Sequence, residues 1–336
     1  MCRGIDPAEL ADHTRLGQVL SALEHNPASA HVLLSSLPTP QVPTHRIGIT
    51  GSPGVGKSTL LAELIKLYRI RGHQVGVVAV DPTSPLTGGA ILADRLRLGD
   101  HQSDLGVFIR SLGSRGSLGG ITPAASAVAS VLEAAGFSRI LIETVGVGQT
   151  GYDVINLADT VIALYSPESG DGIQLLKAGI LEIGDIFAVN KCDRPGADLL
   201  LQELRGSLAP NTIAASEAIH HYAGAADRAR YALAANGTQW KQPVIILSAL
   251  KKQGVDDVYQ AVEAHRDWLA AIPLDHPRRR WRIARELAFV LRSRMSQILD
   301  ETMSSTVDAL AYRVLIGELE MWNAIEQLSA VLRESL

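Results

Sequence analysis

The stretch GITGSPGVGKST leaves the chain around it little conformational freedom. It fits G-x-x-x-x-G-K-[ST] from Gly51 to Ser58, directly after the apolar run RIGIT and before LLAELIKLYR, which has helical spacing. That context requires a buried strand, a tight glycine turn and a helix in succession. Gly51, Gly54 and Gly56 let backbone N–H groups turn inward around phosphates, and the positive end of the following helix adds to the field. Residues Gly51, Ser52, Pro53, Gly54, Val55, Gly56, Lys57, Ser58 and Thr59 are therefore expected to hold a nucleotide. Lys57 is expected to reach the β- and γ-phosphates and Ser58 to ligate Mg²⁺. A glycine-rich turn that binds nothing is the plainer alternative, and Lys57, Ser58 and the flanking elements together outweigh it.

From this point short apolar runs alternate with helical segments: RIGIT, QVGVVAVD, VFIRSL, RILIETV, TVIALYS, DIFAVNK and PVIILSA. Most are continuous in polarity rather than alternating, which predicts strands covered on both faces. The expected fold class is α/β, a P-loop NTPase fold with a mostly parallel sheet flanked by helices. Residues 1–44 are expected as a helical N-terminal extension and linker, with Leu16, Val19, Leu20 and Leu23 at helical spacing before LPTPQVPTH breaks the pattern. The nucleotide domain is expected over 45–270. Residues 271–336 read as a C-terminal helical arm with Leu287, Leu291, Met295 and Ile298 on one face. That face fits packing on the α/β core or pairing with a second copy, and a homodimer is expected.

NKCD at 190–193 closes the strand DIFAVNK, at the sheet edge where open α/β folds hold ligands. Asn-Lys-x-Asp there is a guanine signature. The Asp193 carboxylate would accept from guanine N1–H and the exocyclic amine, and adenine would leave it unpaired. Asn190 would tie the loops together and the Lys191 stem would lie across the base. SAL, residues Ser248, Ala249 and Leu250, ends the last strand and would complete the pocket. Alone, N-K-x-D also occurs as a capping turn; behind a phosphate loop it selects GTP and GDP over adenine nucleotides.

RILIETVGVGQT raises a different question, because a nucleotide switch usually shows Asp-x-x-Gly after such a strand and here the acid is Glu143, with Gly146 three residues on. Two further stretches extend beyond a generic GTPase: VDPTSPLTGGAILADR, which runs from Val80 to Arg95 with Asp81 at a strand end and Asp94 thirteen residues on, and FIRSLGSRGSLGG from Phe108 to Gly120. With ETVGVGQT and SGDGIQLLKAGILEIGDIFAVNKCD, they closely resemble the MeaB/ArgK/MMAA family of P-loop GTPases in the SIMIBI class. The resemblance is dense over about 45–270 and weaker in the helical ends. It implies a GTPase chaperone of an adenosylcobalamin-dependent acyl-CoA mutase, chiefly methylmalonyl-CoA mutase, that gates cofactor loading and protects or reactivates the enzyme. It implies that Asp81, Asp94 and Glu143 surround Mg²⁺ beside Ser58, directly or through water, with Lys57, Asp81 and Glu143 as the catalytic set and Asp81 orienting the attacking water. The resemblance also places Lys177 as a relay to the partner in a third switch, Ser169 to Lys177.

By the residues alone, Asp81 and Asp94 serve equally well as turn or helix caps, and Lys177 reads as a surface lysine. Gln149 lies three residues after Gly146 rather than next to it, so a switch-coupling role fits better than water positioning. Two departures from the family pattern, Thr150-Gly151 after GVGQ and Ala93 before the second acid, fall in expected loops and remove no proposed ligand.

Composition excludes several classes. With 46% hydrophobic and 20% charged residues the chain buries a full core, and a net charge of −4 supplies no global basic field for nucleic acid. The run HPRRRWRIAR at 276–285 is short and opens an amphipathic helix, so a solvated face or a partner contact is the expected role. Cys2 and Cys192 form no disulfide framework and no metal-ligand spacing, no apolar stretch approaches the roughly 20 residues of a membrane span, and a cytoplasmic location is expected. His220-His221 has no metal-site neighbours. A nickel-type metallochaperone GTPase would show His-rich or Cys-His tracts, which the chain lacks. A protein kinase for a periplasmic amino-acid transport system would need an acceptor site that a cytoplasmic enzyme is poorly placed to offer.

Overall fold

The computed structural model describes residues 5, 7–25, 32–81, 104–113, 123–144, 153–168, 184–208, 240–273 and 277–335. The chain divides into two compact units, Met1–Ile283 and Ala284–Leu336. No helix among the described residues is long and apolar enough to cross a membrane.

All seven apolar runs form strands: β1 (His45–Thr50), β2 (Val75–Asp81), β3 (Val107–Gly113), β4 (Arg139–Thr144), β5 (Thr160–Tyr165), β6 (Ile186–Val189) and β7 (Val244–Ile246). They make one sheet in the order β3-β2-β4-β1-β5-β6-β7. Every pairing is parallel. Parallel strands need crossover connections, and helices supply them on both faces. On one face α3 (Lys57–Ile70) and α6 (Val255–Ala271) bury Leu60, Leu61, Leu64, Ile65, Val258 and Val262 against Ile47, Ile49, Leu141, Ile162 and Ile186.

The opposite face carries α4 (Pro123–Ala134), a 3₁₀ turn (Asp153–Asn156) and α5 (Ala197–Ser207). Gly48 in β1 is a consequence of that packing, since a Cβ there would run into Val154 of the 3₁₀ turn. The N-terminal helices α1 (Pro7–Ala11) and α2 (His13–His25) bury Leu10, Leu16, Leu20 and Leu23. Arg110 of the edge strand β3 donates to Glu24 at 2.6 Å and to Ser21 at 3.2 Å, and His13 meets Phe108 edge-on, so α2 covers that edge. An open strand edge invites foreign pairing, and an ion-paired helix over it prevents that.

Charged side chains cluster at the amino ends of the strands, the pole opposite the phosphate loop. Arg46 makes a two-pronged bond to Glu133 of α4 at 2.7 and 3.0 Å, and Arg139 grips Glu263 of α6 at 3.1 and 2.8 Å. Between them a buried chain runs from His45 Nε2 to Thr160 Oγ1 to His265 Nδ1, each step 2.7 Å. Burial holds the His45 imidazole below its ordinary pKa, so it favours the neutral form. These contacts lock both helix layers to the sheet and leave the carboxyl edge of the strands for ligands.

The second unit contains the remainder of α7 (Pro277–Gln297), a π turn (Ile298–Thr302), α8 (Ser304–Leu315) and α9 (Met321–Ser335). Leu287 and Leu291 of the sequence-read face are exposed, as are Leu315, Met321 and Trp322. The unit boundary falls inside α7.

Candidate nucleotide site

The loop at 51–56 leaves the carboxyl end of β1, the strand flanked by β4 and β5 at the centre of the sheet. Gly54 and Gly56 have φ of 77 and 97°, the left-handed region that glycine enters at no steric cost. Gly56 caps α3 without a side-chain hydrogen bond, so backbone N–H groups of the first helical turn remain for an anion. Lys57 is buried, and its Nζ donates to Gly51 O at 2.9 Å and Ser52 O at 3.1 Å. The ammonium thus lies folded over the loop it is expected to serve.

Ser58 Oγ donates to Glu143 Oε1 at 2.7 Å, closing a separation of 85 residues in sequence. Glu143 is buried at the end of β4, where β4 lies beside β1. A hydroxyl and a carboxylate oxygen in contact at the phosphate loop are hard oxygen donors of the kind Mg²⁺ takes, and they fit that ion. Asp81 is the last residue of β2, one strand beyond β4 on the same carboxyl edge; its side chain lies outside the described residues. So do Asp94, Gln149 and Lys177.

The second half of the site forms at the ends of β6 and β7. Asn190 Nδ2 donates to Val55 O at 2.8 Å, and the Ala249 N–H donates to Asn190 Oδ1 at 2.9 Å. One amide therefore ties the phosphate loop, the NKCD turn and the SAL turn together. A side chain on Gly56 would collide with Asn190 Nδ2, so that glycine serves the clamp as well as the turn. Cys192 N–H donates to Leu247 O at 3.0 Å, which fixes the turn against the end of β7.

Asp193 Oδ1 accepts from Ser248 Oγ at 3.0 Å, and Lys251 Nζ lies 3.4 Å from Oδ2. The Ser248 hydroxyl first, then the backbone amide and Lys251, hold the Asp193 carboxyl below the usual carboxylate range. An anionic acceptor is thus prepared at the place expected to read guanine. Leu250 is exposed beside it, available to cover a flat ring.

Two contacts were not legible in the motifs. Lys251 lies just beyond SAL, and Glu168, three residues past β5, accepts from Lys191 Nζ at 2.6 Å. Only the adjacency of β5 and β6 in the sheet puts Glu168 beside the NKCD turn.

Residues 16–304 match the family model described as Methylmalonyl Co-A mutase-associated GTPase MeaB. The chain belongs to the MeaB family. It is accordingly a guanine-nucleotide-binding GTPase, and the MeaB match runs from within α2 through the whole sheet to the end of α7 and the π turn. A putative GTPase of Pyrococcus horikoshii is 36% identical over 322 residues, 96% of this chain and 95% of that protein. A mouse (Mus musculus) protein named methylmalonic aciduria type A homolog, mitochondrial, is 39% identical over 150 residues, 45% of this chain and 36% of that one. The fold is shared with a crystal structure described as a LAO/AO transport system kinase, at TM-score 0.61 and 22% identity over 97% of this chain and 95% of that chain.

Proposed function

We propose that this protein is a GTPase chaperone of an adenosylcobalamin-dependent acyl-CoA mutase of the methylmalonyl-CoA mutase type, working in the cytoplasm. The observation that carries the proposal is the family match over residues 16–304, whose description names a mutase-associated GTPase. The site geometry supports the nucleotide half of the reading, since Asn190 joins the phosphate loop to a base pocket with an anionic Asp193. The exposed apolar residues of 284–336, Leu287, Leu291, Leu315, Met321 and Trp322, support pairing with a second copy as a homodimer.

In this reading the triphosphate lies against the amides of residues 51–59. Lys57 leaves its two carbonyl partners for the β- and γ-phosphate oxygens, where its charge counters the charge that builds on the leaving and transferring groups. Ser58 and Glu143, with Asp81 and Asp94, would hold Mg²⁺ there. Bound there, Mg²⁺ would supply charge neutralisation for the triphosphate. Asp81, at the end of β2, orients the attacking water. Lys177 and Gln149 carry the nucleotide state to the partner.

Glu143 has one more methylene than the Asp usual at this position, a reach that suits contact through a water or after loop movement. Replacing Glu143 with Ala is expected to lower Mg²⁺-dependent GTP hydrolysis by about 10–100-fold, the usual effect of losing a group that orients metal ligands, while GDP affinity changes far less. Single-turnover phosphate release and GDP titration measure the two. Equal loss of both would reduce Glu143 to a support of the fold.

The mutase role is tested by a pull-down from native lysate with the GTP-loaded chain. Recovery of a cobalamin-dependent mutase, together with phosphate release stimulated by it, is the expected result. Recovery of no mutase, or transfer of labelled phosphate to a protein in place of free phosphate, would overturn the reading.

A further inference from the structure

The NKCD turn contains a residue whose backbone is already committed. Lys191 has φ of 60°, the left-handed region, unusual for a residue with a side chain. Hydrogen bonds hold the turn in this shape: Asn190 N–H to Tyr165 O at 2.8 Å, Cys192 N–H to Leu247 O at 3.0 Å and Arg194 N–H to Lys191 O at 2.9 Å. A fixed backbone leaves the long Lys191 side chain as the loose part, and Glu168 catches its end. Lys191 Nζ donates to Glu168 Oε2 at 2.6 Å, while Arg194 Nε stands 3.3 Å from Glu168 Oε1. Both carboxylate oxygens are engaged, one by each cation.

This bridge is a poor stability device. Its side chains are 30% exposed at Lys191, 46% at Glu168 and 60% at Arg194, and ion pairs that open to water contribute little to folding. Its value lies in order. A lysine that must be immobilised when a ligand arrives takes the cost out of the affinity, whereas one already held has met it during folding.

We infer that Glu168 is a positioning residue of the guanine site, holding Lys191 so that its stem is laid out for the base before nucleotide binds. The inference rests on the reading of 190–193 and 248–250 as the guanine pocket. Glu168 touches no nucleotide in this scheme and acts through Lys191 alone. Because the bridge is exposed, added salt weakens it.

The test is stopped-flow dissociation of fluorescent GDP from the full-length chain, at low and high salt. Glu168→Gln is expected to speed dissociation about two- to tenfold, the effect of having to order one long side chain on binding, with little change in association rate and in melting temperature. Glu168→Asp, which keeps the charge on a shorter arm, is expected to recover part of the loss. Lys191→Ala should lose affinity too, and adding Glu168→Gln to it should cost nothing more, because the two residues act as one unit. The difference between wild type and Glu168→Gln should shrink at high salt.

Dissociation unchanged or slowed in Glu168→Gln, or losses that add in the double variant, would overturn the inference while leaving the guanine reading standing. Slower release would mean that the bridge blocks the pocket instead of shaping it. A wild-type chain that held ADP as tightly as GDP would overturn the guanine reading and the inference with it.

Discussion

Replacing Lys57 with Ala is expected to lower GTP hydrolysis by about 10²–10³-fold or more, the scale on which one charge-stabilising donor counts at a phosphoryl or acyl transition state. The ammonium is buried and holds the Gly51 and Ser52 carbonyls at 2.9 and 3.1 Å, so the variant loses a cation and a brace of the loop together. Lys57→Arg should fare little better, since a wider planar guanidinium does not fit a buried ammonium site bounded by two carbonyls. Single-turnover phosphate release measures the effect, with thermal melting to show that α3 and the sheet remain folded. Hydrolysis that persisted in a folded Lys57→Ala chain would refute the assignment of 51–58 as the phosphate loop.

Asp193→Asn carries the second large effect, in specificity rather than rate. Guanine offers two donors to the Asp193 carboxylate, and an amide turned toward them can accept only one and opposes the other with its own N–H. GDP affinity is expected to fall by about 10²–10⁴-fold, as when a site built for specific hydrogen bonds meets a ligand that cannot complete them. Xanthine diphosphate, with a carbonyl in place of the exocyclic amine, is expected to gain over GDP in the same variant. The Ser248 bond at 3.0 Å and the Lys251 contact at 3.4 Å are both to the carboxylate that the change removes, so the turn itself must be checked by melting. Competition of the two diphosphates against a fluorescent nucleotide gives the ratio, and unchanged GDP preference would place base recognition elsewhere.

Much of the fold is legible in the sequence alone. The seven apolar runs are the seven strands, because a strand covered on both faces must be apolar throughout, and that pattern is local. The strand-turn-helix at 51–58 was legible for the same reason: glycines at the turn, Lys57 and Ser58 at the helix start, all within eight residues. The resemblance to the MeaB family came from ordered motifs in the same stretches, and the match over 16–304 bears it out.

Three arrangements lay beyond that reach. The resemblance set Glu143 near Ser58 around a metal ion, but no motif says that β4 lies beside β1, and that sheet order is what brings the two side chains into a direct bond. Asn190 was expected to join loops, but that its amide spans Val55 and Ala249 together follows from the sheet register, in which β6 and β7 run two residues past the level of Thr50 at the end of β1. Glu168 belongs to no motif and becomes the anchor of Lys191 only because β5 runs beside β6.

By itself, then, the sequence determined which segments are strands and where the glycine turn of residues 51–56 leads into a helix, since those depend on polarity and residue type over a few positions. Tertiary structure decided which distant residues meet: Ser58 with Glu143, Asn190 with Val55, Lys191 with Glu168. The reason is that parallel crossovers place strands by helix packing and sheet twist, terms that sum over the whole core, and a strand's own residues do not encode its neighbour.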